Sequence, residues 1–272
     1  MGTMEAMTAK GYKPEKFKPG MLGSVKLDGL RCLYAGGKCY TRNGNRIAGV
    51  EHIEKALKSN SFGDLDGEIL IPEMTFDAST GQIRSRNGSP DAKYFVFGSL
   101  ETGRPFSDVY RGLKDQFERR HQSTLIAAPT TITLVEHTPL RTASEVQTAC
   151  KSAMAAGYEG LMLKTPGHHY QPGKRSSDWL KLKPELSKDL AIEAFFEGNG
   201  RLEGTLGGVI VKHGAVSVRV GAGFTDAQRE KIWRKQKFYA GKIVEVTYQE
   251  ETAAGSLRHP RFKTFRFDKE SI

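Results

Sequence analysis

Lys26-Leu27-Asp28-Gly29-Leu30-Arg31 sets a lysine two residues ahead of an Asp-Gly turn, on what reads as a buried strand. In Ser24-Val25-Lys26-Leu27-Asp28 the apolar Val25 and Leu27 alternate with Ser24, Lys26 and Asp28, so a period of two points the three polar side chains to one face. Burying an ammonium is expensive, and a lysine kept in such a place is usually there for chemistry. That face reads as a pocket wall. The hexapeptide alone also fits a solvated strand ending in an ordinary turn, so the polar segments that follow it decide between the two.

Around this strand lies a chain of 272 residues, long enough for two domains of unequal size. Apolar residues make up 38% and charged residues 26%, and no apolar run approaches the length of a bilayer span, which predicts a soluble globular protein. The first twenty residues contain no apolar signal-peptide segment. Cys32, Cys39 and Cys150 are odd in number and lack metal-ligand spacing, which points to a reducing compartment and buried thiols. The net charge of +10, contributed by both halves of the chain, suggests a polyanionic partner such as nucleic acid.

Gly36-Gly37 between Arg31–Tyr34 and Lys38–Arg42 is a hairpin signal. Helical spacing appears in Val50, Ile53 and Leu57, in Val109, Leu113 and Phe117, and in Val146, Ala149 and Ala153. Strand-like runs lie at 65–71, 94–100, 131–135, 161–163 and 179–182. The mixture predicts an α+β fold of antiparallel sheets with helices packed outside. Pro184 and the polar run Glu185–Asp189 read as a linker, giving domains 1–184 and 185–272. In the second, Val216, Val218 and Val220 alternate, as do Val244, Val246 and Tyr248. A helix at 226–237 lies between them behind a Thr225/Gln228 capping box. Short strands with one helix suit a small five-stranded barrel of the OB type.

Four further segments carry chemistry. In Leu65-Asp66-Gly67-Glu68-Ile69 the two carboxylates share a strand face, where they could hold a ribose or a metal, or simply face solvent. Tyr158-Glu159-Gly160-Leu161-Met162-Leu163-Lys164 brings an acid to the mouth of an apolar strand, a suitable hard-cation ligand or a solvated cap. Lys181 and Lys183 alternate with Leu180 and Leu182, and two neighbouring ammonium groups favour an anion such as phosphate. Ser256–Lys269 interleaves five cations with three phenylalanines, either a nucleic-acid-binding tail or a phosphate clamp.

Taken in order, from about residue 22 to 269, these segments resemble the nucleotidyltransferase motifs of ATP-dependent DNA ligases of the small bacteriophage and viral kind. The resemblance implies an adenylation domain followed by a C-terminal OB-fold barrel. It also implies that Lys26 becomes adenylylated, with Asp28, Lys181 and Lys183 counted as catalytic. Ser24, Arg31, Arg42, Arg175 and the adenine-stacking Phe97 would bind ATP, with Glu68 and Glu159 as ribose- and metal-associated acids for Mg²⁺ or Mn²⁺. Arg258, Arg266, Asp268 and Lys269 fall in the C-terminal motif that orients pyrophosphate. Arg84 and Arg86, with Arg42, could grip DNA backbone phosphates, or Arg84 and Arg86 could be ordinary loop cations. Two positions depart from the pattern: Phe97 is followed by Gly98 where many such ligases have aspartate, and Ser24 stands where some carry a glutamate. The implied protein is a cytoplasmic monomer of a bacterial cell or phage-infected host that seals nicked duplex DNA. An RNA ligase or a capping-type guanylyltransferase is the alternative.

Overall fold

The computed structural model describes residues 5–85, 89–122, 131–252 and 254–269. The chain divides into two compact units, Met1–Lys183 and Pro184–Ile272. In chain order the first unit contains β1 (Thr8–Gly11), β2 (Met21–Lys26), β3 (Leu30–Ala35), β4 (Lys38–Thr41), α1 (Glu51–Ser59), β5 (Leu65–Leu70) and α2 (Phe76–Ile83). It continues with β6 (Lys93–Ser99), α3 (Phe106–Gln122), β7 (Ile132–Leu134), β8 (Thr138–Leu140), α4 (Ala143–Ala155), β9 (Gly160–Lys164) and β10 (Arg175–Leu182).

These strands form two five-stranded sheets, ordered β1-β10-β9-β2-β8 and β4-β3-β5-β6-β7. All ladders are antiparallel except the edge pairs β1 with β10 and β6 with β7, which run parallel. β1 and β8 are too short to show any alternation, so the sequence pattern does not announce them. Ile53 and Leu57 of α1 and Val109, Leu113 and Phe117 of α3 lie one turn apart and pack into the core around Ile69, Tyr94 and Val96. In α4 the Thr142 hydroxyl caps the helix by accepting the Glu145 N–H. Helix α2 has no amphipathic signature; its Ser79 is buried because its hydroxyl accepts the Ile71 N–H at 2.9 Å.

The β3–β4 turn is the expected one, with Gly36 and Gly37 at φ 55° and 80°. Gly29 answers a different demand: a Cβ there would lie 2.6 Å from the Ile69 carbonyl oxygen and 2.8 Å from Glu68 Cγ. Only a glycine lets the chain leave β2 this close against β5. All three cysteines are free and buried.

The second unit comprises β11 (Leu186–Glu197), β12 (Leu206–His213), β13 (Val216–Val220), α5 (Asp226–Arg234), α6 (Gln236–Tyr239), β14 (Ile243–Tyr248) and β15 (Arg261–Phe265). Its sheet order is β13-β12-β11-β14-β15. The long β11 pairs with β14 through its first half and with β12 through its second. The two edges touch at one bridge, Ala222 to Arg261, so the OB-like sheet curls without a closed ladder among the described residues. Val209, Val211, Val218, Val220, Val244 and Val246 build its core, and Arg229 is buried by donating to the carbonyls of Leu206, Gly207 and Gly221, each at 2.8 Å. The Thr225/Gln228 capping box is present.

Two expectations are corrected. Leu186–Asp189, read as linker, are strand residues paired with Glu245–Tyr248, because their polar side chains lie on a partly exposed strand rather than in loose chain. The helix expected at 226–237 is two helices, interrupted at Lys235, whose φ of −125° leaves the α region.

Candidate active site

A cavity of about 220 Å³ opens in the first unit, and register explains its wall. Across β2, β9 and β10, Ser24 pairs with Met162 and Met162 with Lys181, while Lys164 pairs with Trp179. Because side chains two apart share a face, these residues and Lys26 present one continuous surface. The other sheet supplies Arg31 and Glu68, a directly opposed cross-strand pair, together with Phe97. Arg42, Arg175 and Lys181 complete the wall with three cations that form no ion pair among the described residues.

Ser24 and Lys26 are where the alternation put them, whereas Asp28, expected on the same wall, follows the end of β2 and does not line the cavity. Lys26 is 21% exposed and contacts the Glu159 carboxylate, which also receives Lys183. Burial pushes the Lys26 amine below its ordinary value and Arg31 acts in the same direction, while Glu68 and Asp28 oppose. Lys181 is also lowered, first by partial burial and then by the repulsion of Lys26, Arg175 and Arg42. Burial drives the Glu68 carboxyl up to about 7, against the pull of Arg31 and Lys26. Asp66 is fully buried and is taken by Arg31, whose Nε and a terminal nitrogen reach its two oxygens at 2.6 and 2.5 Å. The suggested ribose or metal role for the Asp66/Glu68 face therefore rests on Glu68. The Arg31 guanidinium also lies 4.7 Å from the Phe97 ring centroid.

Residues 4–183 match the family model described as ATP dependent DNA ligase domain, and residues 197–266 match the DNA ligase OB-like domain. The chain belongs to the ATP-dependent DNA ligase family. It is 26% identical over 256 residues to the DNA ligase of Haemophilus influenzae, with 92% of this chain and 87% of that one covered. It spans only 34% of the DNA ligase of Thermococcus fumicolans, at 29% identity over 64% of this chain. A solved chain described as "Pmar-Lig_Pre." superimposes with a TM-score of 0.82 at 27% identity, covering 98% of this chain and 68% of that one. A structure from work on DNA binding with a minimal scaffold in Lig E DNA ligases has a TM-score of 0.78 at 24% identity, covering 96% and 99%. That likeness shows the ligase fold.

Within this ligase chain Arg84 is exposed at the C-cap of α2 and does not line the cavity, and Arg86 lies outside the described residues. In the second unit Arg266 bonds Asp189 and Asp268, Lys269 bonds Asp189, and Arg258 bonds Glu250. Lys164 and Trp179 are among the cavity residues not singled out from sequence. Lys164 is 1% exposed and ends the apolar run of β9, while Trp179 lines the cavity with its indole N–H buried and unbonded. The detectable signal was a charged residue directly closing Gly160–Leu163, a strand whose other residues are all apolar.

Proposed function

We propose that this ligase-family chain seals nicks in duplex DNA through a covalent lysyl-AMP on Lys26 and an adenylylated DNA end. The observation that carries the reading is Lys26 itself, a partly buried amine with a lowered pKa on a cavity wall that also bears Arg42, Arg175 and Lys181. A lysine must lose its proton to act as nucleophile, and desolvation brings that closer to neutral pH. Its nitrogen bonds the α-phosphorus of ATP, the bond to the bridging oxygen breaks, and pyrophosphate leaves. Lys181 and Arg175 stabilise the negative charge that gathers on the phosphoryl oxygens, which is where phosphoryl-type transfer gains most.

Phe97 offers a ring for the nucleobase, and Ser24 lines the same cavity from the other sheet. Glu68 or Glu159 would hold magnesium, and no cluster of three potential ligands occurs among the described residues. It would supply charge neutralisation to the triphosphate. Arg258, Arg266, Asp268 and Lys269 of the second unit act on the departing pyrophosphate, and Arg84 and Arg86 on the DNA backbone. The AMP then passes to the 5′-phosphate of the nick, from which the 3′-hydroxyl displaces it. The protein works as a monomer, in the cytoplasm that its buried free thiols suit.

The test is incubation with Mg²⁺ and α-phosphate-labelled ATP or GTP, followed by singly nicked DNA and RNA duplexes. Label from ATP on Lys26 and sealed DNA are the expected outcome. Label from GTP alone turns the reading to a guanylyltransferase, and sealing of RNA alone turns it to an RNA ligase.

A further inference from the structure

The β5–β6 ladder is irregular at one point. Asp66 pairs with Gly98 and the next residue, Gly67, pairs with Val96, so Phe97 stands opposite no residue of β5. It is the extra residue of a β-bulge, a device that re-aims a side chain and leaves the backbone locally unpaired. Here the re-aimed side chain is the ring in the cavity wall. The Phe97 carbonyl is met instead by Lys164 Nζ at 2.6 Å.

Lys164 makes no ion pair among the described residues. Its charge is held by rings: Nζ lies 4.4 Å from the Phe106 centroid, 4.6 Å from that of Trp179 and 4.7 Å from that of Phe97. A cation over aromatic faces is attracted by their quadrupoles, and more strongly when desolvated. The neighbouring carboxylate Asp66 is occupied by Arg31. Burial and Arg31 lower the Lys164 amine to about 7, with Asp66 opposing. A buried amine in that balance is costly to keep, and the one backbone group it holds belongs to the bulge.

We propose that Lys164 is a positioning residue: by clamping the Phe97 carbonyl inside a cage of Phe97, Phe106 and Trp179, it fixes the bulge that presents the Phe97 ring to the nucleobase. The inference rests on the reading that the cavity takes ATP. Lys164 itself acts through Phe97, so its loss weakens recognition of the base and leaves the transfer step alone.

The experiment measures Lys26 adenylylation against ATP concentration in the full chain carrying Lys164→Met, Phe97→Leu or both, with inhibition by inorganic tripolyphosphate as a base-free control. Lys164→Met is expected to raise KM for ATP on the order of tenfold, the scale of a lost base-stacking contact. At saturating ATP its kcat stays near wild type, and tripolyphosphate inhibits it as before. Adding Lys164→Met to Phe97→Leu then changes KM little, since coupled residues are non-additive. An unchanged KM, or an effect that adds in full to that of Phe97→Leu, overturns the proposal, as does equal weakening of tripolyphosphate.

Should Lys164→Met fail to fold, Gly98→Asp serves. A Cβ there would lie 3.9 Å from Lys164 Nζ and 3.8 Å from Phe106, ordinary contact distances, and a carboxylate on it would draw the ammonium from the carbonyl. A severalfold higher KM is expected, and an unaltered one overturns the clamp. Absence of any wild-type adduct strikes the parent reading instead; the same variants are then compared by equilibrium ATP binding, where equal affinities overturn the clamp.

Discussion

The cations of the two units are kept in opposite ways. On the cavity wall of the first unit, Arg42, Arg175 and Lys181 make no ion pair among the described residues, and partial burial, then the repulsion of Lys26, Arg175 and Arg42, lowers Lys181. In the C-terminal segment of the second unit, Arg258, Lys263, Arg266 and Lys269 are each matched to a carboxylate of Glu250, Glu245 or Asp189. Unmatched positive charge beside the partly buried Lys26 favours an incoming polyanion, because binding relieves repulsion already present. Matched cations must first exchange one anion for another, which makes their engagement conditional. Under the proposed function, the first unit would have standing affinity for triphosphate and the second a releasable grip.

The strongest way to break this contrast is Lys26→Ala, which should leave no covalent nucleotide on the protein by mass spectrometry; a full adduct elsewhere would refute the nucleophile. Asp66→Asn should destabilise the first unit by about 3–5 kcal/mol in chemical denaturation, since it strands the Arg31 guanidinium beside a neutral partner. Lys181→Ala should slow adenylylation on the order of a hundredfold with the melting temperature held, as expected for a lost transition-state charge; near-normal rates would remove Lys181 from the site. A subtler effect concerns Glu68. Its folded pKa of about 7 lies above the ordinary 4.5, so the folded state holds the extra proton and stability declines as pH rises through that window. Glu68→Gln should flatten that decline in thermal melts, and an unaltered slope would show that another group titrates there. The smallest change belongs to Asp189→Ala, where exposed pairs with Arg266 and Lys269 are involved and stability should shift by less than about 1 kcal/mol.

The strands and helices that bury one face were legible because their periodicity is enforced by the core. Ile53 with Leu57, Val109 with Leu113, and Val216 with Val218 and Val220 all announce themselves in this way. Elements whose side chains serve hydrogen bonds or edges were not: α2 is held by Ser79, and β1 and β8 are short edge strands. The polar start of β11 read as linker because exposure on a strand and exposure in a loop leave the same composition. In the site, alternation located Ser24 and Lys26 and motif order located Glu68, Phe97, Arg175 and Lys181 in what proved to be one wall. Lys164 escaped notice since a terminal lysine on an apolar strand resembles an ordinary solvated end.

What could be read along the chain was the set of chemical groups and the face each occupies, because strand and helix periods are local properties of the backbone. Which of those groups meet was settled by folding. The pairing of Asp66 with Arg31, which leaves Glu68 as the carboxylate on the wall, depends on the alignment of β3 with β5. The bulge at Phe97 and its hold by Lys164 depend on two sheets meeting across residues 67 positions apart, a distance over which local propensity carries no information.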